Sequence, residues 1–183
     1  MMVWTGSLQQ AKLDFLVIEA QCGNNRAFAL LYKYHNAALL RFAFRLSSDE
    51  QLACDSVQEA WITLSKTLRT LKDPRSFKAW AYKTVRWRVV DQVRRRGPAT
   101  QELDVACEAA AVGAWMAETA TSGQLSAQIK RLPDAEGECI HLFYLEDLSV
   151  AEIAHIQGVP AGTVKSRLNR ARARLRQQFE GDD

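Results

Sequence analysis

Apolar residues recur at three- and four-residue spacing along most of the chain, which is the pattern of amphipathic α-helices. One apolar stripe runs through residues 28–46 and a second through residues 57–71. A third covers residues 77–89, after a turn in which Pro74 disfavours helix in the residue before it and Ser76 is placed to cap the next helix. Because alternating strand patterns are nearly absent, the sequence predicts an all-α fold.

The third stripe ends in strong helix-ending signals. A run of three arginines is followed by Gly97-Pro98, which suits a helix C-terminus. Residues 98–123 are rich in Ala, Glu, Thr and Gly and keep no amphipathic period, apart from a candidate short helix at 112–116. The sequence therefore predicts two small helical domains, residues 8–97 and 124–180, joined by a flexible acidic linker, residues 98–123.

The C-terminal part carries a helix-turn-helix pattern. Ser149 and Glu152 have the spacing of a capping box, in which the serine caps the helix and the glutamate bonds back to the serine amide. The short helix that they begin ends at Gly158, and a longer helix begins near Thr163 after the glycine-containing turn 158–162. A short helix, a turn and a basic second helix are typical of DNA-binding modules.

The second helix of this pattern separates apolar from polar positions. Its predicted inner face is Val164, Leu168, Ala171 and Leu175. The major groove accepts one helix, and lysine, arginine, serine and asparagine contact base edges there. Such residues are left on the outer face: Lys165, Ser166, Asn169, Arg170 and Arg172. Many helical hairpins share this pattern, so a simple helical pair is the alternative.

Basic residues are concentrated in two segments, whereas the net charge is only +3. Residues 83–96 hold six lysines and arginines against one acid, and residues 165–176 hold six and no acid. Residues 97–129 contain no lysine or arginine. Two basic patches separated by an acidic stretch favour two contacts with one polyanion, and two solvated helix faces are the alternative.

The C-terminal motifs resemble region 4 of extracytoplasmic-function (ECF) sigma factors. The similarity lies in 132–133 (Leu-Pro), 152–154 (Glu-Ile-Ala), 162–168 (Gly-Thr-Val-Lys-Ser-Arg-Leu), 170–172 (Arg-Ala-Arg) and 175–176 (Leu-Arg). In that family, region 4 binds the −35 promoter element. The resemblance implies −35 contacts from Thr163, Lys165, Ser166, Arg167, Asn169 and Arg170. Arg174 and Arg176 are interpreted as a solvated helix end.

The N-terminal half is similar to region 2 of the same family, in Phe28, 31–32, Ala53 and the aromatic pair Phe77 and Trp80. The resemblance covers about four-fifths of the chain. It implies that one acidic helical face binds the clamp helices of the polymerase's largest subunit: Asp55, Gln58, Glu59 and Ile62. Without the resemblance, this face would be interpreted as solvated.

The third helix is basic and aromatic together, including Tyr82 and Arg88. Cations bind phosphates, and unpaired bases stack on aromatic rings. In the family, this helix and the preceding loop, here residues 72–76, capture the melted −10 strand. The resemblance implies contacts from Arg75, Ser76, Lys83, Arg86, Trp87 and Arg94. The family usually has asparagine at the position of Trp87 and alanine at that of Val85, so Trp87 either stacks on DNA or, as we favour, packs against a neighbour.

The function predicted is that of a promoter-specificity subunit of RNA polymerase. Its expected partners are core RNA polymerase, promoter DNA and an anti-sigma factor, in this family often membrane-anchored. No catalytic residue, metal, cofactor or small-molecule substrate is expected, since His35, His141 and His155 sit singly on predicted helices. Four scattered cysteines and the lack of a secretory leader favour a reduced, cytoplasmic protein. An operator-binding regulator with the same hairpin is the alternative.

Overall fold

A computed structural model of the protein describes three stretches of the chain: residues 4–96, 128–129 and 131–180. These stretches contain helices and no strand, which confirms the predicted all-α class. By its internal contacts the chain divides into two compact units, Met1–Glu102 and Leu103–Asp183. The predicted linker, residues 98–123, and its candidate helix at 112–116 lie outside the described residues.

Between residues 4 and 96, the first unit has four α-helices and two short 3-10 turns: α1 (Trp4–Gln21), α2 (Asn25–Ser47), α3 (Glu50–Thr67) and α4 (Phe77–Arg96), with turns at Leu68–Thr70 and Pro74–Ser76. The side chain of Asn24 caps α2 by accepting hydrogen bonds from the amides of Arg26 and Ala27. Asp49 caps α3, since its Oδ1 accepts from the amide of Leu52 at 2.8 Å. Capping satisfies amides that the first turn of a helix leaves unpaired.

Large aromatic side chains form the centre of this unit. Phe42 of α2 is fully buried, and its ring centroid lies 5.1 Å from that of Tyr82 in α4. Trp61 of α3 packs edge-on against Phe28, and its indole N–H donates to Asn36 Oδ1 at 3.0 Å. The predicted inward positions of the three stripes are buried at Leu31, Leu39, Ala43, Val57, Ala60, Leu64, Phe77, Ala81, Val85 and Val89.

The 3-10 turn before α4 is capped by Asp73, a cap that the sequence analysis did not predict. Asp73 Oδ1 accepts a hydrogen bond from the amide of Arg75 at 3.0 Å. Ser76 is the last residue of this turn and directly precedes α4, and its role as the cap of α4 stays a prediction. Proline suits the first position of a helical turn because it has no amide to pair, so the cap moves to the residue before Pro74.

The helix α1 is not predicted by the hydrophobic pattern. It buries Val17 while leaving Leu8, Phe15 and Ile18 exposed, so its apolar residues do not form one stripe. The side-chain amide of Gln21 at its end donates to the carbonyl oxygens of Leu68 and Leu71, at 3.0 and 2.7 Å. This helix is therefore held by contacts with a distant turn as well as by apolar burial.

Among its described residues, the second unit has three α-helices and one π-helical turn: α5 (Asp134–Ile140), the turn His141–Leu145, α6 (Val150–Gln157) and α7 (Ala161–Glu180). The capping box is confirmed, because the Ser149 side chain accepts from the amide of Glu152 and the Glu152 carboxylate accepts from the amide of Ser149. Gly158 ends α6 at φ 67°, a conformation that glycine adopts without strain. The longer helix begins at Ala161, two residues before the predicted start.

The core of the second unit holds the predicted inner face of α7. Val164, Leu168 and Ala171 are buried, whereas Leu175 is half-buried. His141 is buried too, with its Nε2 3.5 Å from Oε1 of Glu146. The short helix and turn preceding α6 thus carry polar groups inside the unit.

Two of the four cysteines are free thiols in the described part of the chain. Cys22 is exposed, and Cys139 is buried. Burial raises the pKa of the Cys139 thiol, which keeps it protonated. Cys54 is buried as well, at 7% exposure. No helix within the described residues is long and apolar enough to cross a membrane.

Candidate nucleic-acid interface

The second helix of the helix-turn-helix, α7, presents three polar side chains to solvent. Lys165, Ser166 and Asn169 are exposed, on the face opposite the buried residues. The hydroxyl of Ser166 donates to the carbonyl oxygen of Thr163 at 2.9 Å, and Thr163 is half-buried. The capped start of α6 and the tight turn at Gly158 fix the direction in which α7 leaves the turn. This is the geometry of a helix that can enter a major groove.

Two predicted DNA-contacting arginines are engaged by their own domain. Arg167 is half-buried, and its Nη1 donates to Oε1 of Gln157 at 2.8 Å. Arg170 donates from Nε to Oε1 of Glu136 at 3.1 Å, although its side chain stays 58% exposed. Both are therefore held in place before any ligand binds, which the sequence did not indicate.

The remaining arginines of α7 are divided between anchored and solvated positions. Arg172 donates from Nε to the hydroxyl of Tyr144 at 2.7 Å, and its guanidinium lies 5.6 Å from the ring centres of Phe143 and Tyr144. Arg174 Nε lies 3.0 Å from Oε2 of Glu136, so this arginine is paired, although its side chain stays 53% exposed. Arg176 is exposed, as interpreted.

In the first unit, the polar face of α3 is turned away from the core. Gln58, Glu59 and Ile62 are exposed, and Asp55 is half-buried. The side-chain amide of Gln51 donates to Oδ1 of Asp55 at 3.1 Å. The four residues predicted to bind polymerase therefore form one accessible ridge, with Ile62 48% exposed despite being apolar.

Arg88 of α4 connects this ridge with the basic helix. Its guanidinium donates to Oε2 of Glu59 at 3.2 Å and to Oγ1 of Thr63 at 2.7 Å. The same group lies 4.7 Å from the ring centre of Trp87. A groove of about 350 Å³ runs beside these side chains, also lined by Ile62. Arg88 is thus a link between the two surfaces that the sequence treated separately.

Trp87 is 56% exposed, and the two predictions made for it, stacking on DNA or packing against a neighbour, stay predictions. Its only ring contact given by the described residues is with the guanidinium of Arg88. A cation over an indole ring stabilises both groups and holds the ring in place. Lys83 and Arg94 are exposed, and Arg86 is half-buried. The helix therefore presents an accessible aromatic ring among basic side chains.

Tyr82, by contrast, is buried against Phe42 and cannot stack on a nucleic acid. The sequence grouped it with the basic and aromatic residues of α4. Its position five residues before Trp87 places it on another side of the helix, which faces α2. One aromatic residue of this pair is core, and the other is surface.

The turn before α4 holds Arg75 in a bidentate pair. Its Nε and Nη2 each lie 3.0 Å from an oxygen of Asp73. These hydrogen bonds lower the pKa of the Asp73 carboxyl. Both side chains are well exposed, and such pairs contribute little stability, so a phosphate can compete for Arg75. Ser76 is exposed beside it.

Comparison with protein families matches both units. The Sigma-70 region 2 family model matches residues 31–98, and the Sigma-70 region 4 model matches residues 122–175. The two matches occur in the order that the sequence motifs indicated. They cover the helices that carry the ridge, the exposed tryptophan and the helix-turn-helix.

The chain is 30% identical over 158 residues to the ECF RNA polymerase sigma factor SigM of Mycobacterium tuberculosis, covering 84% of this chain and 77% of that one. It is 28% identical over 170 residues to SigW of Bacillus subtilis, covering 86% and 91%. The solved structure of CnrH in complex with the cytosolic domain of CnrY matches with a TM-score of 0.67 and 26% identity, over 94% of this chain and 99% of that chain. With two family models and a relative that is 30% identical over 84% of this chain in agreement, the chain belongs to the ECF RNA polymerase sigma factors, which bind core RNA polymerase and direct it to promoters.

Proposed function

We propose a division of labour between the two halves of this sigma factor. Residues 8–97 bind core polymerase and the −10 element, residues 124–180 bind the −35 element, and residues 98–123 link them. The polymerase contacts are the ridge residues Asp55, Gln58, Glu59 and Ile62. We infer that the chain has no catalytic centre of its own, that it needs no cofactor or small-molecule substrate, and that it works in the cytoplasm with polymerase.

The −35 assignment rests on one observation. Three side chains able to contact base edges, Lys165, Ser166 and Asn169, are exposed on the second helix of a capped helix-turn-helix. Because Arg167 and Arg170 are tethered to neighbouring side chains, we assign them to the DNA backbone together with Thr163.

The −10 assignment rests on the exposed ring of Trp87. We propose that an unpaired base of the melted strand stacks on this ring, while basic side chains bind the phosphates on either side. Trp87 stands where the family usually has asparagine. Stacking on its ring would tolerate any base, since every base has a π face. The accompanying residues are Arg75, Ser76, Lys83, Arg86 and Arg94.

We further propose control by an anti-sigma factor that competes with polymerase. CnrH was solved with a protein partner, the cytosolic domain of CnrY, and the similar sigma factor RpoE with the anti-sigma factor NepR from Bartonella quintana. An inhibitor that covers the ridge at Glu59 and Ile62 blocks polymerase directly. Such an inhibitor is expected to be excluded by core polymerase in a pull-down with the tagged protein. Recovery of all three components in one complex argues against a shared surface.

Replacing Lys165 by alanine is expected to weaken promoter binding by about 1–3 kcal/mol, the contribution of a good base contact. The promoter is first mapped from transcripts that core polymerase starts with this protein. Binding of the polymerase holoenzyme to that duplex is then measured by fluorescence anisotropy.

The matched control is Arg176→Ala, which removes the same charge from an exposed position of the same helix. Its effect should be small and equal on promoter and unrelated duplexes, because Arg176 is interpreted as part of a solvated helix end and is assigned no base contact. If Lys165→Ala also weakens both duplexes equally, Lys165 does not contact bases. Core polymerase binding should be unchanged in both variants.

A further inference from the structure

Glu136 is a buried carboxylate whose two oxygens each hold an arginine of α7. Oε1 lies 3.1 Å from Nε of Arg170, and Oε2 lies 3.0 Å from Nε of Arg174. The Glu136 side chain is only 7% exposed. Residues four apart lie on the same face of a helix, one turn from each other. One carboxylate of α5 therefore holds two guanidinium groups of α7.

Both arginines keep most of their hydrogen-bonding capacity. A guanidinium has five N–H donors. Arg170 donates Nε–H to Oε1 of Glu136, whereas Arg174 is held beside Oε2 as an ion pair without a hydrogen bond. Within the described residues, neither guanidinium makes another hydrogen bond. Their side chains are 58% and 53% exposed. The terminal Nη groups of Arg170 and Arg174 are thus available to a ligand from solvent.

The charge and geometry of this cluster fit an anion. Two arginines and one carboxylate leave one net positive charge. Guanidinium groups bind phosphate with parallel N–H···O bonds, which gives both energy and orientation. The carboxylate has already ordered both long side chains, so little rotamer entropy is lost when the anion binds.

We propose that Glu136, Arg170 and Arg174 form a preorganised site for one backbone phosphate of duplex DNA. The two arginines contact the phosphate, and Glu136 is a positioning residue that does not touch it. The proposal rests on the assignment of this unit to duplex DNA, and it adds Glu136 and Arg174 to the interface. It also predicts an effect opposite to that of simple charge repulsion: removing the negative charge of Glu136 close to DNA should weaken DNA binding.

The test is Glu136→Gln, measured with a mixed-sequence duplex of about 30 base pairs between about 50 and 200 mM salt. Loss of the carboxylate frees both arginines, so binding is expected to weaken severalfold and the salt slope to fall by about one. The control is Asp134→Asn, which removes the same charge from an exposed position of the same helix. General electrostatics predicts equal or tighter binding for that control.

A double-mutant comparison separates positioning from loss of fold. Arg174→Ala should weaken binding, and Glu136→Gln should add little in the Arg174→Ala background, since the two act through one site. If Glu136→Gln unfolds the unit, as circular dichroism would reveal, Arg174→Lys replaces it. Lysine keeps the charge without the planar fork, and weaker binding by this variant supports the site.

Three results overturn the proposal. The first is that the Glu136→Gln variant binds the duplex as tightly as the Asp134→Asn variant. The second is that the Arg174→Lys variant binds the duplex as tightly as the wild type. The third is a loss of polymerase binding with unchanged DNA binding, which would assign the cluster to a protein contact. If the wild-type protein binds no duplex at about 50 mM salt, the −35 assignment fails as well. If the wild-type protein binds duplex DNA normally and Glu136→Gln does not change that binding, only the phosphate-site proposal fails and the −35 assignment stands.

Discussion

Reversing the charges of Asp55 and Glu59 to lysine is expected to abolish stable binding to core polymerase. The two carboxylates lie on the ridge of α3, and Glu59 is exposed beside Ile62. Losing one partner of a hydrogen-bonded charge pair in an interface costs about 2–5 kcal/mol, and a reversed charge adds repulsion. A loss of about 2 kcal/mol in binding free energy, the lower end of this range, already raises the dissociation constant roughly thirtyfold.

The measurement is the affinity of labelled variants for core polymerase, at two salt concentrations. Glu59 also pairs with Arg88 at 3.2 Å, so each variant needs a stability measurement beside the binding measurement. That pair is half-exposed, and its loss should cost under about 1 kcal/mol. The control is Glu50→Lys, an exposed acid in the first turn of the same helix. Equal weakening by the control means that the ridge has no special part in binding.

Truncating Phe42 to alanine is expected to destabilise the first unit by about 3–5 kcal/mol. The side chain is fully buried and contacts the Tyr82 ring, so alanine leaves a cavity that close-packed neighbours fill only in part. Such a loss is a large fraction of the stability of a small domain. Urea unfolding of the full chain, followed by tryptophan fluorescence, gives the change in the free energy of unfolding.

Phe15→Ala is the matched control for this prediction, because the same side chain is removed from a position that is 60% exposed. Its effect should stay within about 0.5 kcal/mol, as for most surface substitutions. If both variants lose the same stability, the core described for this unit is wrong. Phe42→Ala should also reduce binding to polymerase and binding to the −10 element together, since the same helical unit carries both binding surfaces.

Tyr82 shows where sequence reasoning fails on a basic helix, because it was grouped with the basic and aromatic surface but is buried. Tyr82 and Trp87 both lie on α4, and their residue types suit either a core or a stacking surface. Only the packing of Phe42 against Tyr82 and the approach of Arg88 to the indole separate the two roles. Periodicity could have placed Tyr82 on the buried side, since Ala81, Tyr82, Val85 and Val89 follow helical spacing.

The sequence by itself determined the all-α class, the helix-turn-helix and the family. These follow from local signals: three- and four-residue spacing, the capping box at Ser149 and Glu152, and Gly158 at the turn. It also placed the exposed side of α3 correctly, because the buried stripe beginning at Val57 fixes the opposite face. Local signals suffice for such features because each depends on residues within a few positions of one another.

Only the tertiary structure decided which basic residues are anchored and to what. Helical spacing gives the face of a residue, but a long arginine side chain bonds to whichever acceptor the fold brings near. The acceptor of Arg170 is Glu136, which lies 34 residues earlier, and that of Arg88 is Glu59, 29 residues earlier. Such pairings depend on how helices pack, since the acceptor belongs to another helix and no short-range pattern encodes it.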